Sequence, residues 1–262
     1  MIRRRRQRAK NKMMIDGLVS VITPMYNSEK WIEETVRSVQ AQSYEKWEMI
    51  IMDDCSSDDS AEIVKKLQKE DSRICYFRNE KNSGVAASRN HAISCAKGQY
   101  LAFLDSDDQW FPKKLEKQIK KLQKEDGAFC YSACEVIDGQ GNRINVRHVP
   151  EKTEYKDLLK GNVIPCLTVL IDRKKIPKVT MPQIPHEDYA AWLKILQEGV
   201  TAWGVDEPLA SYREGGMSVS SDKVRAMRWT WNIYRKFLGL GFARSCYCFF
   251  FYAVNALRKR KG

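Results

Sequence analysis

Between Leu18 and Asp126, short β-branched runs alternate with segments of helical spacing, and few folds accommodate that rhythm. Leu18–Thr23 (LVSVIT) is an apolar run that Pro24 stops. Ser28 is placed to cap a helix whose positions Trp31, Ile32, Thr35, Val36 and Val39 recur at helical spacing. Trp47–Asp53 reads as the second strand, with a helix opening at Ser57 or Asp58 and running through Ile63, Val64 and Leu67. Arg73–Arg78 is the third strand, and a helix with Val85, Ala86, Ala92 and Ile93 facing inward follows Gly84. Gln99–Asp105 is the fourth, and Pro112 suits the first turn of a fourth helix. Such alternation predicts a Rossmann-like, mostly parallel sheet covered by helices on both faces. Sheets of that kind bind ligands beyond the carboxyl ends of their strands.

After Asp126 the rhythm changes. Ala128–Asp138 reads as a strand, Asp138–Asn142 (DGQGN) as a turn, and Ile144–Val149 as a returning hairpin partner. Leu167–Asp172 is a further strand. A helix opens at His186-Glu187-Asp188, continues through Trp192, Leu193 and Leu196, and ends at Gly199. From Val219 onward the chain reads as helical, basic and aromatic. This gives residues 1–16 as a basic extension, 17–220 as one catalytic-sized domain and 221–262 as a helical tail. Within the domain, about 17–110 form the alternating half and about 111–220 a second half.

Charge placement decides between classes of partner. The net charge is +12, yet seven positive charges lie in Arg3–Lys12 and four in Arg258–Lys261, leaving the body nearly neutral. A nucleic-acid-binding protein would interleave basic and aromatic residues through the body, so no nucleic acid partner is expected. Basic ends do suit an anionic membrane surface. The eight cysteines form no CxxC pair and read as free thiols of a reducing compartment. No apolar stretch follows the basic start, so the chain reads as cytosolic; Met13 and Met14 are alternative starts that would drop the arginine run.

Four clusters carry chemistry. In Leu104–Asp108 (LDSDD), three carboxylates within four residues repel one another unless a cation compensates, and hard oxygen ligands suit Mg²⁺ or Mn²⁺. Alone, that pattern equally suits a solvated acidic turn. Asp53, with Asp54 beside it, ends a buried strand and can accept from a base or ribose. In Asn82–Asn90 (NSGVAASRN), Gly84 permits close backbone approach, and Arg89 is within reach of a diphosphate. In His186–Trp192 (HEDYAAW), Asp188 can take a proton from a hydroxyl, with Glu187 beside it and Trp192 one turn later on the same face.

The order Pro24-Met25-Tyr26-Asn27, Asp53-Asp54, Asn82–Asn90, Leu104–Asp108, Glu187-Asp188 and Trp192 strongly resembles the family 2 glycosyltransferases of the GT-A fold. The resemblance covers about Leu18 to Ser220 and is nearest to bacterial teichuronic-acid and O-antigen type enzymes. It implies that Thr23, Pro24 and Tyr26 line a nucleotide pocket, with Asp53 accepting from a uracil N–H and Arg89 near base and diphosphate. It implies that Asp107 contacts ribose or metal, Asp108 ligates Mn²⁺ or Mg²⁺, and Asp188 is the base. Asn27, Asp54, Gly84, Asp105, Glu187 and Trp192 would support them. The implied activity is metal-dependent, inverting transfer of one sugar from a nucleotide-sugar donor to a lipid-linked saccharide. Tyr212–Ser220 (YREGGMSVS) resembles that family's post-catalytic segment, with Gly215 or Gly216 where a histidine is often found. Arg225–Trp229 (RAMRW) matches only in part the QxxRW element of processive members and is read as coincidence. A module that binds nucleotide sugars without catalysis would lack the base or a metal ligand, and this chain retains both.

Overall fold

The computed structural model describes residues 14–214 and 223–258. The arginine run, Gly215–Ser220 and the last basic residues therefore lie outside the described residues.

The first half follows the alternation closely. Strands β1 (Ile15–Met25), β2 (Trp47–Asp53), β3 (Ile74–Arg78) and β4 (Gly98–Phe103) alternate with helices α1 (Ile32–Gln40), α2 (Ser60–Glu70) and α3 (Val85–Cys95). They pair in the order β3-β2-β1-β4, all parallel. The first strand opens at Ile15, inside the stretch assigned to the N-terminal extension. Burial explains why the runs are apolar throughout: a strand covered on both faces has no solvent side. Val19 and Val21 pack with Val36, Val39 and Val64 on one side, whereas Ile22 packs with Ala86 and Ala92 on the other. One local expectation changes and one is resolved. The Ser28 hydroxyl does not cap α1; it bonds the Ser106 hydroxyl at 2.7 Å. Asp58 receives the Ser60 N–H at the start of α2.

The second half is mixed. After β5 (Gln109–Trp110) and α4 (Lys114–Lys124) come β6 (Phe129–Ile137), β7 (Arg143–Arg147), β8 (Lys152–Thr153), α5 (Tyr155–Leu158), β9 (Leu170–Asp172), α6 (Glu187–Gln197) and β10 (Ala202–Arg213). The sheet continues β4-β9-β6-β10-β5, with β9 antiparallel to both β4 and β6 and β10 parallel to β6. The expected β6–β7 hairpin is present. The mostly parallel expectation thus holds for β3-β2-β1-β4, and the complete sheet is mixed. The twelve-residue β10 was not anticipated: its register against β6 shifts on both sides of Pro208, so its apolar pattern is broken.

The C-terminal helices α7 (Lys223–Asn232) and α8 (Phe242–Arg258) fold back onto the domain. Ile233, Tyr234, Leu240 and Cys248 join the core that contains α3 and α6. The Tyr234 hydroxyl donates to the Leu159 carbonyl at 2.6 Å, and Asn255 Nδ2 donates to the Lys160 carbonyl at 3.0 Å. No helix among the described residues is long and apolar enough to cross a membrane. None of the eight cysteines forms a disulfide; Cys130, Cys134 and Cys248 are buried, four are half-buried and Cys246 is exposed.

Candidate active site

A cavity of 1420 Å³ opens between the carboxyl end of β4, the start of α3, β7, the loop before β9 and the start of α6. It exceeds the roughly 300–1,000 Å³ of a pocket for one small molecule, so it has room for two substrates. Gly84, Arg89, Asp105, Asp108, Glu187 and Asp188 all line it. Residues from three separate sequence clusters therefore meet in one space.

Arg89 is the link between them. Its guanidinium is 4% exposed and pairs with Asp105 through Nη2 and with Glu187 through Nη1. Burial works to discharge it, but Asp105 and then Glu187 override that and hold it well above its ordinary value. The arginine thus ties the acidic loop after β4 to the first turn of α6. Its two cationic nitrogens face carboxylates here.

The acidic loop is pinned from several directions. Asp108 is buried, and its Oδ1 accepts the Arg213 backbone N–H at 2.8 Å. The Asp108 carbonyl accepts the Thr35 hydroxyl at 2.8 Å. The Arg213 side chain donates through Nε to the Asp107 carbonyl at 3.0 Å and lies over the Trp31 ring at 4.0 Å. Sequence reasoning missed Arg213. Its signal was a basic residue closing the run Leu209–Tyr212, followed by Glu214 and Gly215-Gly216.

Like charges at close quarters leave this loop short of positive charge. Asp107 keeps solvent contact, yet the surrounding protein and then Asp105 push its carboxyl up to about 6. Burial, followed by Asp107 and Asp105, pushes Asp108 well above the carboxylate range. A divalent cation relieves that repulsion, so the donor set fits Mn²⁺ or Mg²⁺. Among the described residues no three such side chains already close on one point, so phosphate oxygens would complete the shell.

Asp188 stands across the cavity. Burial raises its carboxyl above the ordinary range, with Arg89 opposing. Burial raises Glu187 likewise. Trp192, expected near Asp188, is wholly buried; it meets Phe103 and Phe129 edge-on at 5.3 and 5.2 Å and anchors α6 to the sheet.

The nucleotide-side residues divide into exposed and sealed. Tyr26 is 53% exposed, and Asn27 accepts the Ser57 N–H at 2.8 Å. Pro24 is buried at the end of β1. Thr23 is wholly buried one residue further in, and its hydroxyl has no hydrogen-bond partner among the described residues. Asp53 is also sealed, because it ends a strand under a lid of donors: the Ser56 N–H, the Tyr76 hydroxyl and Arg78. In this structure its oxygens serve the strand end rather than an open pocket. Asp54 accepts from Asn79 Nδ2 and from the N–H groups of Ser83 and Gly84. Gly84 has φ +84°, which a side chain would resist, and that turn starts α3 facing the cavity.

Comparison with known proteins agrees with this geometry. Residues 20–176 match the family described as glycosyl transferase family 2. TuaG of Bacillus subtilis (strain 168), whose name assigns it to teichuronic acid biosynthesis, is 45% identical over 93% of this chain and 97% of its own. WfgD of Escherichia coli, a UDP-Glc:alpha-D-GlcNAc-diphosphoundecaprenol beta-1,3-glucosyltransferase, is 39% identical over 89% of this chain and 92% of its own. Among solved structures, S. aureus TarS with UDP-GlcNAc superposes with a TM-score of 0.66 at 20% identity, covering 83% of this chain and 66% of that one. The mannosyltransferase PcManGT from Pyrobaculum calidifontis, with GDP-Man and Mn²⁺, gives 0.68 at 19% identity, covering 85% and 64%. At those identities the two structures speak for the fold, which is GT-A. With the family matched across the acidic loop and close relatives along nearly the whole chain, this protein belongs to the family 2 glycosyltransferases.

Proposed function

We propose that the chain transfers a single sugar, with inversion, from a UDP-hexose or UDP-N-acetylhexosamine to a hydroxyl of a lipid-linked saccharide in bacterial surface-polysaccharide synthesis. The observation that carries this reading is the Arg89 bridge, because it holds the acidic loop and the α6 carboxylates on one cavity. The activity for which WfgD is named supports the donor and acceptor classes.

The donor diphosphate would lie toward Asp105 and Asp108, with the nucleotide over the ends of β1 and β2 near Tyr26, Pro24 and the Asp53-Asp54 turn. Asp107 and Asp108 would hold the divalent cation, which supplies positive charge to the departing diphosphate. Asp188 takes the proton from the acceptor hydroxyl. The freed oxygen forms a bond to the anomeric carbon from the side opposite the diphosphate. The bond to the diphosphate oxygen breaks as the new one forms, and UDP leaves with that electron pair. No covalent glycosyl intermediate is needed, so a second nucleophilic carboxylate is not required. A carboxyl raised by burial is a stronger base once ionised, which suits Asp188 to this role.

The tail supports a peripheral site on the inner face of the cytoplasmic membrane. Phe242, Tyr247 and Phe250 are more than half exposed on α8, with Arg244 beside them and a basic terminus beyond.

The test is a screen of UDP-hexoses and UDP-N-acetylhexosamines against diphospholipid-linked acceptors, with Mn²⁺ present. Asp188→Asn is expected to lower turnover by about 10³-fold while keeping UDP affinity. Unchanged turnover in that variant rejects Asp188 as the base.

A further inference from the structure

One cation in the cavity is left over from the account above. Among the described residues, Arg89 and Arg147 are the arginines that line it, facing Asp105, Asp108, Glu187, Asp188 and Glu214. Arg89 is engaged by Asp105 and Glu187. Arg147 is held differently. It ends β7 opposite Cys134 of β6, while Tyr212 of β10 pairs with Val136 on the other side of β6. Cys134 and Val136 are two positions apart and share a face of the sheet, which sets Arg147 and Tyr212 together on that face. The Arg147 guanidinium lies over the Tyr212 ring, 4.4 Å from its centre. The carboxylate it meets among the described residues is Glu214, at 4.0 Å, beyond hydrogen-bond length. Both side chains are about half exposed, and an exposed pair of that length holds an arginine weakly. The neighbouring Arg143 meets Glu135 at 3.5 Å and does not line the cavity.

Tyr212 places this arginine near the acidic loop. Burial raises the phenol above its ordinary value; Arg147 pulls it down, whereas Asp108, Asp107 and Asp105 push it up. The ring therefore feels the arginine and the acidic loop together. A guanidinium laid flat on an aromatic ring keeps its donors free along the edge, and that planar fork matches two oxygens of a phosphate. Resting on the glycosyltransfer reading above, we propose that Arg147, seated on Tyr212, binds a diphosphate in the cavity. Both substrates of that reading carry this group, the donor between nucleoside and sugar and the acceptor between sugar and lipid. Either would enter a space where carboxylates outnumber arginines and Arg89 is already shared between two of them. A cation delivered from the β6–β7 hairpin offsets that repulsion without drawing on the bridge that joins the acidic loop to α6.

The test measures binding to the full chain in Mg²⁺ for two matched pairs of ligands. One pair is UDP and uridine. The other is N-acetylglucosamine joined to an alkyl tail through a diphosphate, and the same sugar on the tail without phosphate. Arg147→Gln is expected to weaken at least one diphosphate ligand by about tenfold or more, and its phosphate-free counterpart by less than about twofold. Loss on UDP assigns the site to the donor; loss on the tailed sugar assigns it to the acceptor. Arg147→Lys is expected to recover part of the affinity, and Arg143→Gln, on the same hairpin, to change neither pair. Unchanged affinity for both diphosphates in Arg147→Gln overturns the proposal, as does an equal loss on the phosphate-free ligands, which would make Arg147 a strap for the hairpin. A wild-type chain that transfers no sugar from any sugar nucleotide counts against the proposed function instead. Inorganic pyrophosphate then reads the site alone: affinity lost in Arg147→Gln supports it, and no binding to the wild type, or equal binding to both, overturns it.

Discussion

The two halves of the sheet reach the same cavity by different physics. In β3-β2-β1-β4 every strand is parallel to its neighbour, and each functional turn follows its own strand end. Asp53-Asp54, Gly84 and Asp105–Asp108 sit where local alternation puts them. In β9-β6-β10-β5 the strands run in both directions, and the useful contacts come from far along the chain. Arg213 reaches back to Asp107 and Asp108, and Trp229 reaches His186. One half supplies a frame that any chain of this rhythm would build. The other decides how that frame is held and what it admits.

The sharpest way to break this contrast is to cut the tie between the halves. Arg89→Met leaves Asp105 and Glu187 without their shared cation in a largely buried site. The expected outcome is a loss of about 3 kcal/mol in urea unfolding and about 10²-fold in turnover. Arg89→Lys is expected to recover part of the stability and less of the turnover, because one ammonium cannot bridge two carboxylates as a guanidinium does. Equal turnover in all three proteins would mean that the halves need no such link.

A second test probes the seam itself. Lys114, on α4, is wholly buried, with its ammonium 4.0 Å from the Trp110 ring centre and donating to Gln118 Oε1 at 2.6 Å. Burial lowers its pKa to about 7 from an ordinary 10.5. The unfolded chain therefore binds the extra proton between those values, and stability rises with pH across that window. Below about pH 7 both states are protonated and the full cost of burying the charge is present. Lys114→Met is thus expected to stabilise the fold by about 2 kcal/mol at about pH 6, with the gain fading toward pH 10.5. Thermal unfolding at the two ends of that range reads it, and a gain that does not fade would remove Lys114 as its source.

The smallest effect is expected furthest from the sheet. Replacing Phe242 and Phe250 with glutamate is expected to lower flotation with acidic liposomes several-fold while leaving the melting temperature within about 2 °C. Unchanged flotation would give the exposed face of α8 some other purpose.

How much of this could be read from the chain follows the same division. β1, β2 and β4 were legible because two-sided burial makes each a largely apolar run bounded by turn residues, and the edge strand β3 from the alternation around it. Asp105, Asp107, Asp108 and Asp188 stood out as candidates only through the order of their clusters on the strand–helix frame, since carboxylates in turns and first helical turns are otherwise common. β10 was not, since Gly204, Asp206 and Pro208 interrupt it and its bulges accommodate them. The burial of Thr23 and Asp53 was not legible, since sequence spacing does not report which donors seal a strand end. Arg89 stood out as a candidate in its helix start, yet its two carboxylate partners lie 16 and 98 residues away, beyond any local pattern.

The hydrogen bond from the Arg213 N–H to Asp108 bears on where this chain can be shortened. The family match ends at residue 176, which invites a minimal fragment cut near that point. Such a fragment would keep the acidic loop and lose α6, β10 and the backbone group that orients its buried carboxylate. The smallest piece able to hold the loop in place must extend at least to Arg213, so the end of the family match is not a place to cut.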